Sequence, residues 1–243
     1  MNTRYIESIR KLIDEIEKTQ WQVIEQVSQV CAQAIKNDKL LYFFGTGHSH
    51  MMCEEPFYRA GGLACVYPIL EPSLMLHEGG YKSTLMERVE GIGKILLENS
   101  GPSEGDVLFL ISNSGRNSAV IEMAIEAKEK GIITVAITSL KHSKTFSSRH
   151  RSGKNLYELT DYVIDNCGIP GDAIVEYEGF SQKVGPTSSI AGILIINTII
   201  TNVVEKLLSW GITPPVFISA NTDEGEKFNQ HLLEKYRLRI KVL

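Results

Sequence analysis

Seven consecutive residues, Ser112-Asn113-Ser114-Gly115-Arg116-Asn117-Ser118, carry three hydroxyls, two side-chain amides and one glycine. A turn does not need so many hydrogen-bond donors. A phosphate monoester does, because it presents three strong acceptor oxygens. The apolar run at 107–111 precedes the segment, and a helical pattern over 117–130 follows it. The loop therefore joins a buried strand to a helix whose N-terminus adds roughly half a positive charge. Capping explains one of Ser114, Asn117 or Ser118 but not the whole cluster.

A second candidate, Gly45-Thr46-Gly47-His48-Ser49-His50, also lies between a strand and a helix. Its glycines let backbone approach an anion, and the next helix offers free N–H groups. Against the dinucleotide fingerprint GxGxxG, the third glycine is His50. Glu71 stands where a ribose-binding acid would, so a nucleotide is the lesser alternative. In an open parallel sheet, ligands bind at the carboxyl ends of strands, at the switch point. The two loops should face one pocket, with Gly47, Ser49 and His50 on one wall.

Proton transfer near neutral pH calls for carboxylates and imidazoles. His48 and His50 flank Ser49, and Glu54 and Glu55 open the next helix, where acids also serve simply to offset the dipole. His77-Glu78 precedes Gly79-Gly80 and reads either as a lid over the site or as a plain surface loop. Thr187 and Ser188 open a long apolar helix, where they bind hydroxyls of a ligand or cap the helix. Residues 141–154 are basic and form a solvated loop or a lobe that steers an anion to the cleft. His48-x-His50 alone is poor evidence for a metal, so neither a metal nor a cofactor is expected. Cys53 lacks an orienting base and reads as a packing residue.

The elements that hold these residues are legible from apolar runs. Runs at 40–44, 64–70, 107–111, 132–138 and 162–164 are continuously apolar, as suits parallel strands covered on both faces. Pro68 pushes the second toward an edge. Helical patterns fall at 50–60, 82–98, 117–130, 187–209 and about 222–237, so strand and helix alternate as in a doubly wound α/β sheet. Residues 3–36 show an apolar 3-4 stripe interrupted at Gln20. As one helix it would run about 50 Å. Either it breaks near Thr19-Gln20 or part of it packs on another subunit.

The chain has 243 residues, 43% of them hydrophobic and 22% charged, which excludes a disordered chain. A net charge of −4 gives no basic footprint for nucleic acid and no attraction to an anionic membrane. The run 190–200 contains Asn197 and Thr198 and is too short and polar to span a bilayer. The charged N-terminus is no signal peptide. Cys31, Cys53, Cys65 and Cys167 form no CxxC pair, which suits reduced thiols and a cytoplasmic location.

GTGHS after the first strand, SNSGRN after the third and the order of the five strands together resemble the sugar isomerase (SIS) domain, over roughly residues 30–212. Gly185-Pro186-Thr187-Ser188-Ser189 is similar to the segment opening the last helix of arabinose-5-phosphate isomerases. The N-terminal helix is similar to that of phosphoheptose isomerases, and the whole chain resembles stand-alone SIS proteins of phosphoheptose-isomerase-like type. The resemblance implies a flavodoxin-like five-stranded parallel sheet with an N-terminal helical extension. It divides one SIS domain, 1–243, into a helix at 1–36, a core at 37–212 and a helical tail at 213–243.

The resemblance also implies a homodimer or homotetramer that binds a phosphorylated sugar. Ser112 and Ser114 match the phosphate-binding serines, and Ser49 matches the serine of the first loop; Gly115, Asn117 and Ser118 complete the phosphate set. Asn117 stands where the family carries a third hydroxyl. Arg59 stands where phosphoheptose isomerases carry a glutamate, and Glu54 and Glu55 lie about one turn nearer the loop. The expected activity is aldose–ketose isomerisation, with Glu54, Glu55, His48, His77 and Glu78 as candidate acids and bases. The alternative is a sensor or regulatory protein that binds a phosphosugar without turning it over.

Overall fold

The structure is a computed structural model that describes residues 3–243, apart from the side chain of Asp223. Residues 1 and 2 of the expected extension lie outside the described residues. The chain opens with one helix, α1 (Arg4–Lys36), without a break at Thr19-Gln20. The polar step there is absorbed: Thr19 Oγ1 donates to Glu15 O at 2.7 Å, and Gln20 Oε1 accepts the N–H of Asp165 at 3.0 Å. Leu12, Ile16, Ile24, Val27, Cys31 and Ile35 are buried along its inner face.

Five strands follow: β1 (Leu41–Gly45), β2 (Val66–Ile69), β3 (Val107–Ile111), β4 (Ile133–Thr138) and β5 (Tyr162–Asp165). They form one parallel sheet in the order β2-β1-β3-β4-β5. This is the flavodoxin-like order. β2 takes an edge, where Pro68 removes no needed ladder donor. β1 and β3 are buried along their whole length, as their unbroken apolar composition requires. Phe43 and Phe109 stack across the pair at 4.5 Å. Buried Asp106 accepts the N–H groups of Leu40 and Ser103, at 2.9 and 2.7 Å, and so fixes the approach to both strands.

The helix expected over 82–98 is two: α3 (Gly80–Met86) and α4 (Ile92–Ser100). Glu122 draws the split, because its carboxylate accepts the N–H of Gly91 at 2.6 Å and of Gly93 at 3.1 Å. Between the first two strands, α2 is a single turn (Met51–Glu54) preceded by a 3-10 turn over Gly47–His50. α5 (Ser118–Glu129) follows β3, and the basic stretch contributes α6 (Leu140–Thr145). A β-hairpin, β6 (Ala173–Tyr177) and β7 (Phe180–Pro186), was not expected from the sequence. α7 (Ser188–Ser209) and α8 (Asp223–Tyr236) complete the chain.

α1 packs beside α7, and α4 packs beside α5. Helices therefore cover both faces of the sheet, which is the doubly wound arrangement. α7 is long and apolar enough to cross a membrane by composition. Here it buries Ile195, Ile196, Ile199, Val203 and Leu207 in the core.

Candidate functional site

β1 and β3 are neighbours, and the chain leaves them in opposite lateral directions, to β2 and to β4. The crevice at their carboxyl ends is thus the switch point. The loop after β3 is anchored on β4, with Ser112 N–H donating to Ile137 O at 3.1 Å and Asn113 O accepting Ser139 N–H at 3.2 Å. Ser112 Oγ accepts the N–H of Gly115 at 3.1 Å, which curls the loop. Gly115 has φ +60°, and a Cβ there would lie 3.0 Å from Ser143 Oγ and 3.2 Å from both Leu156 Cβ and Thr138 Oγ1. Only glycine fits this bend.

The polar groups of the loop divide into occupied and available ones. Asn113 Oδ1 accepts from Asn166 at 2.9 Å, so that side chain is structural. Asn117 occupies the N-cap position of α5 but makes no capping hydrogen bond. Asn117 is 7% and Ser118 2% exposed. Among the described residues, the hydroxyls of Ser114 and Ser118 have no protein partner. Nor have the main-chain N–H groups of Ser114, Arg116, Asn117 and Ser118. The two hydroxyls are open to a ligand rather than sealed in the core. Gathered at a helix N-terminus, these hydroxyls and N–H groups form a cradle for an anion.

The first loop folds back tightly on β1. A Cβ on Gly45 would meet Ser49 O at 2.7 Å. Ser49 N–H donates to Thr46 O at 2.9 Å, and half-buried Ser49 has no side-chain partner among the described residues. His50 is buried and its Nδ1 donates to Gly47 O at 2.6 Å, which turns Nε2 toward Glu54, 3.6 Å away. His77 is exposed and lies edge-on to His50, with ring centroids 6.3 Å apart. His48 is exposed on the same turn. Three imidazoles and Glu54 thus gather at one rim. Cys53 is fully buried and its thiol is pushed well above its ordinary value by burial, so it packs.

Glu55 is ion-paired with Arg59 and also accepts from Asn197 Nδ2 at 3.1 Å. With Met51, Glu54 and Ile193, Glu55 and Arg59 line an open hollow of about 450 Å³ between α2 and α7. Glu78 is exposed and held by Lys82 at 2.8 Å, and that hydrogen-bonded pair pulls its carboxyl below the usual value. Thr187 and Ser188 are drawn together by Asp172. Its Oδ1 accepts both N–H groups, at 3.0 and 2.9 Å, and the Thr187 hydroxyl at 3.0 Å, while Oδ2 accepts the Ser188 hydroxyl at 2.6 Å. Among the described residues, no three His, Cys, Asp or Glu side chains converge to hold a metal.

Three further residues hold these elements in place from positions the motifs did not mark. Glu87, just past α3, accepts the Thr46 hydroxyl at 2.6 Å through its carboxylate. Its carbonyl accepts the N–H of Ala119 in the first turn of α5 at 3.1 Å. One residue thus ties the first loop to the second. Arg149 donates from Nη1 to Asn117 Oδ1 at 3.1 Å and from its main-chain N–H to Arg116 O at 2.8 Å. Asp172 is the third. Arg149 belongs to the basic stretch, but no sequence pattern paired Glu87 with Thr46.

A doubly wound parallel sheet with a hydroxyl-rich loop opening a helix at its switch point is a small-ligand α/β architecture. The chain belongs to the SIS domain family, whose sequence profile matches residues 4–139. It is 44% identical to a UPF0309 protein of Shouchella clausii, over 98% of this chain and 97% of that one. It is 43% identical to another of Caldanaerobacter subterraneus, over 98% of both. In structure it is similar to the phosphoheptose isomerase of Neisseria gonorrhoeae, with TM-score 0.56 and 18% identity over 84% of this chain and 96% of that one. It is also similar to the Vibrio vulnificus NanR protein complexed with ManNAc-6P, with TM-score 0.51 and 15% identity over 95% of this chain and 67% of that one.

Proposed function

We propose that the chain binds a phosphorylated sugar in the crevice between β1 and β3. The phosphate sits at Ser112, Ser114, Gly115, Asn117 and Ser118, with Ser49 closing from the first loop. The observation that carries this reading is the set of unpartnered hydroxyls and main-chain N–H groups at the start of α5. The solved SIS structures of similar fold support it, one being a phosphoheptose isomerase and another holding ManNAc-6P. Gly47 and His50 face the sugar, while the N–H groups and hydroxyls of Thr187 and Ser188 are taken up by Asp172 at the start of α7. The protein works in the cytoplasm as a homodimer or homotetramer, and it needs neither nucleic acid nor membrane.

The reaction is an aldose–ketose isomerisation. A base takes the proton from C2 of the aldehyde form, the electron pair makes the C1–C2 double bond, and the carbonyl oxygen takes a proton. The O2 proton then leaves, and C1 regains a proton from the base, so nothing is gained or lost. Carboxylates and imidazoles suit these steps. Glu54 with His48, His50 and His77 forms one candidate set, and Glu55 and Glu78 stand beside it. Glu87 holds the first loop through its carboxylate and the start of α5 through its carbonyl.

A thermal-shift panel of pentose, hexose, heptose and amino-sugar phosphates tests the binding. A ligand at 100 times its Kd adds about 2.7 kcal/mol. Ser112→Ala with Ser114→Ala should remove the shift, since hydrogen bonds to a charged group contribute roughly 1.5–3 kcal/mol each. An unchanged shift in that double variant sinks the reading. Exchange of the C1 or C2 hydrogen with deuterated water, followed by NMR, tests the chemistry. Tight binding without exchange favours the sensor.

A further inference from the structure

Three guanidinium groups collect where α5 begins. Arg116 belongs to the loop itself. Arg149 reaches Asn117 Oδ1 at 3.1 Å and bonds the Arg116 carbonyl through its own N–H at 2.8 Å. Arg88 follows Glu87, whose carbonyl holds Ala119 N–H in the same turn. Among the described residues none of the three is ion-paired, whereas the adjacent Arg151 pairs with Glu90 at 3.9 Å. Partial burial, then repulsion from Arg88 and Arg116, holds the Arg149 guanidinium below its ordinary value, with Glu87 acting the other way. Arg116 lies over the Phe146 ring at 5.5 Å, and its Nε is buried without a partner.

Such an arrangement is unfavourable by itself. Like charges repel, and they sit at the positive end of a helix. Glu87 is the one carboxylate felt at Arg149, and its oxygen is already engaged by Thr46. Three positive charges against one negative leave a net of two. A phosphate monoester carries about −1.5 to −2 near neutral pH. Beside the guanidiniums, the side chains of Asn117 and Ser118 are more than nine-tenths buried, with the Ser118 hydroxyl unpartnered.

We infer that Arg149, docked on Asn117, is a phosphate ligand of this site, and that the arginine group selects dianionic phosphate monoesters over singly charged esters such as sugar sulfates. The inference rests on the phosphate reading above. Guanidinium stays charged at all working pH values and presents a fork of donors matched to phosphate oxygens. The serine loop supplies shape and neutral donors, and Arg149 supplies charge that reaches in from the loop after α6. Asn117 is the positioning residue, because its Oδ1 holds the guanidinium against the helix start.

The probes are inorganic phosphate and one hexose 6-phosphate, titrated calorimetrically against the matching hexose 6-sulfate. Wild type should prefer the phosphate ester by at least roughly tenfold, the low end of a charged hydrogen bond. Arg149→Ala and Arg149→Gln should each weaken both phosphate probes at least roughly tenfold and flatten the dependence on salt. Arg149→Lys restores part of the affinity, since it keeps charge and loses the fork. Arg149 is exposed, so these variants fold, and circular dichroism verifies it. Wild-type affinity in either neutral variant overturns the inference, even where the Ser112/Ser114 variant has lost binding. Full binding in all of them overturns the phosphate reading as well.

Discussion

Gly115 shows how much the candidate site depends on single atoms. Its positive φ and three contacts near 3 Å leave no room for a methyl group. A left-handed conformation costs an L-residue about 1–2 kcal/mol before any clash. Gly115→Ala should therefore lower unfolding free energy by about 2 kcal/mol in urea and weaken phosphosugar binding as well. A wild-type midpoint would refute this account of the loop. Asp172 gives a second case. It takes four hydrogen bonds from Thr187 and Ser188, and Thr187 is fully buried. Asp172→Ala removes a cap and strands the N–H groups of Thr187 and Ser188, for about 2 kcal/mol, or roughly 4–8 °C in Tm. The serine loop was legible because its hydroxyls, amides and glycine are contiguous. Asp172, Glu87 and the Arg149–Asn117 contact were not, because each joins residues separated by 15 to 41 positions.

At the scale of elements, burial pattern made the sheet readable. Val107–Ile111 was recovered to the residue, because a strand covered on both faces must be apolar throughout. The split of 82–98 was only half readable: Gly91 and Gly93 weaken a helix there, but Glu122, which holds their N–H groups, lies on another helix. The hairpin β6–β7, whose second strand is almost wholly exposed and so lacks apolar alternation, was not readable. Its place is set by α1 instead, with Tyr5 OH donating to Pro186 O at 2.6 Å. The same packing encloses the thiols. Burial pushes Cys65 from 9.0 to about 12 and raises Cys31 further. Folding thus favours the neutral thiol. That stabilisation is complete below pH 9 and is lost as pH climbs toward 12, at about 1.4 kcal/mol per unit for each thiol. Urea unfolding between pH 8 and 10.5 should show the decline, and Cys31→Ala with Cys65→Ala should make it shallower, leaving the share of buried Cys53. An identical slope in that variant would place the alkaline sensitivity elsewhere.

The whole molecule carries a net charge of −4 yet concentrates guanidiniums at the crevice. A local field of that kind steers anions despite the overall sign. Its outer surface has the opposite peculiarity. α1 and α7 pack side by side and still leave Ile6 54%, Trp21 51%, Ile190 39% and Leu208 59% exposed. Between them Ile13, Ile16, Trp21, Ile24 and Leu194 line a groove of about 230 Å³. Contiguous apolar surface of this kind marks an interaction site. In the proposed homodimer, two copies of this face meet about a two-fold axis, which needs no second, different surface. A stable contact buries about 800 Å² on each partner, and helices of 33 and 22 residues are long enough to supply it. Sedimentation at micromolar concentration should give at least twice the 27.1 kDa chain mass. Trp21→Glu with Leu208→Glu should move the population to monomer without unfolding it, since both side chains are exposed in the single chain and a charged side chain at the contact must be desolvated against apolar surface. A single 27.1 kDa species for the unmodified chain would rule out the dimer, and persistence of the dimer in the double variant would move the contact to another face.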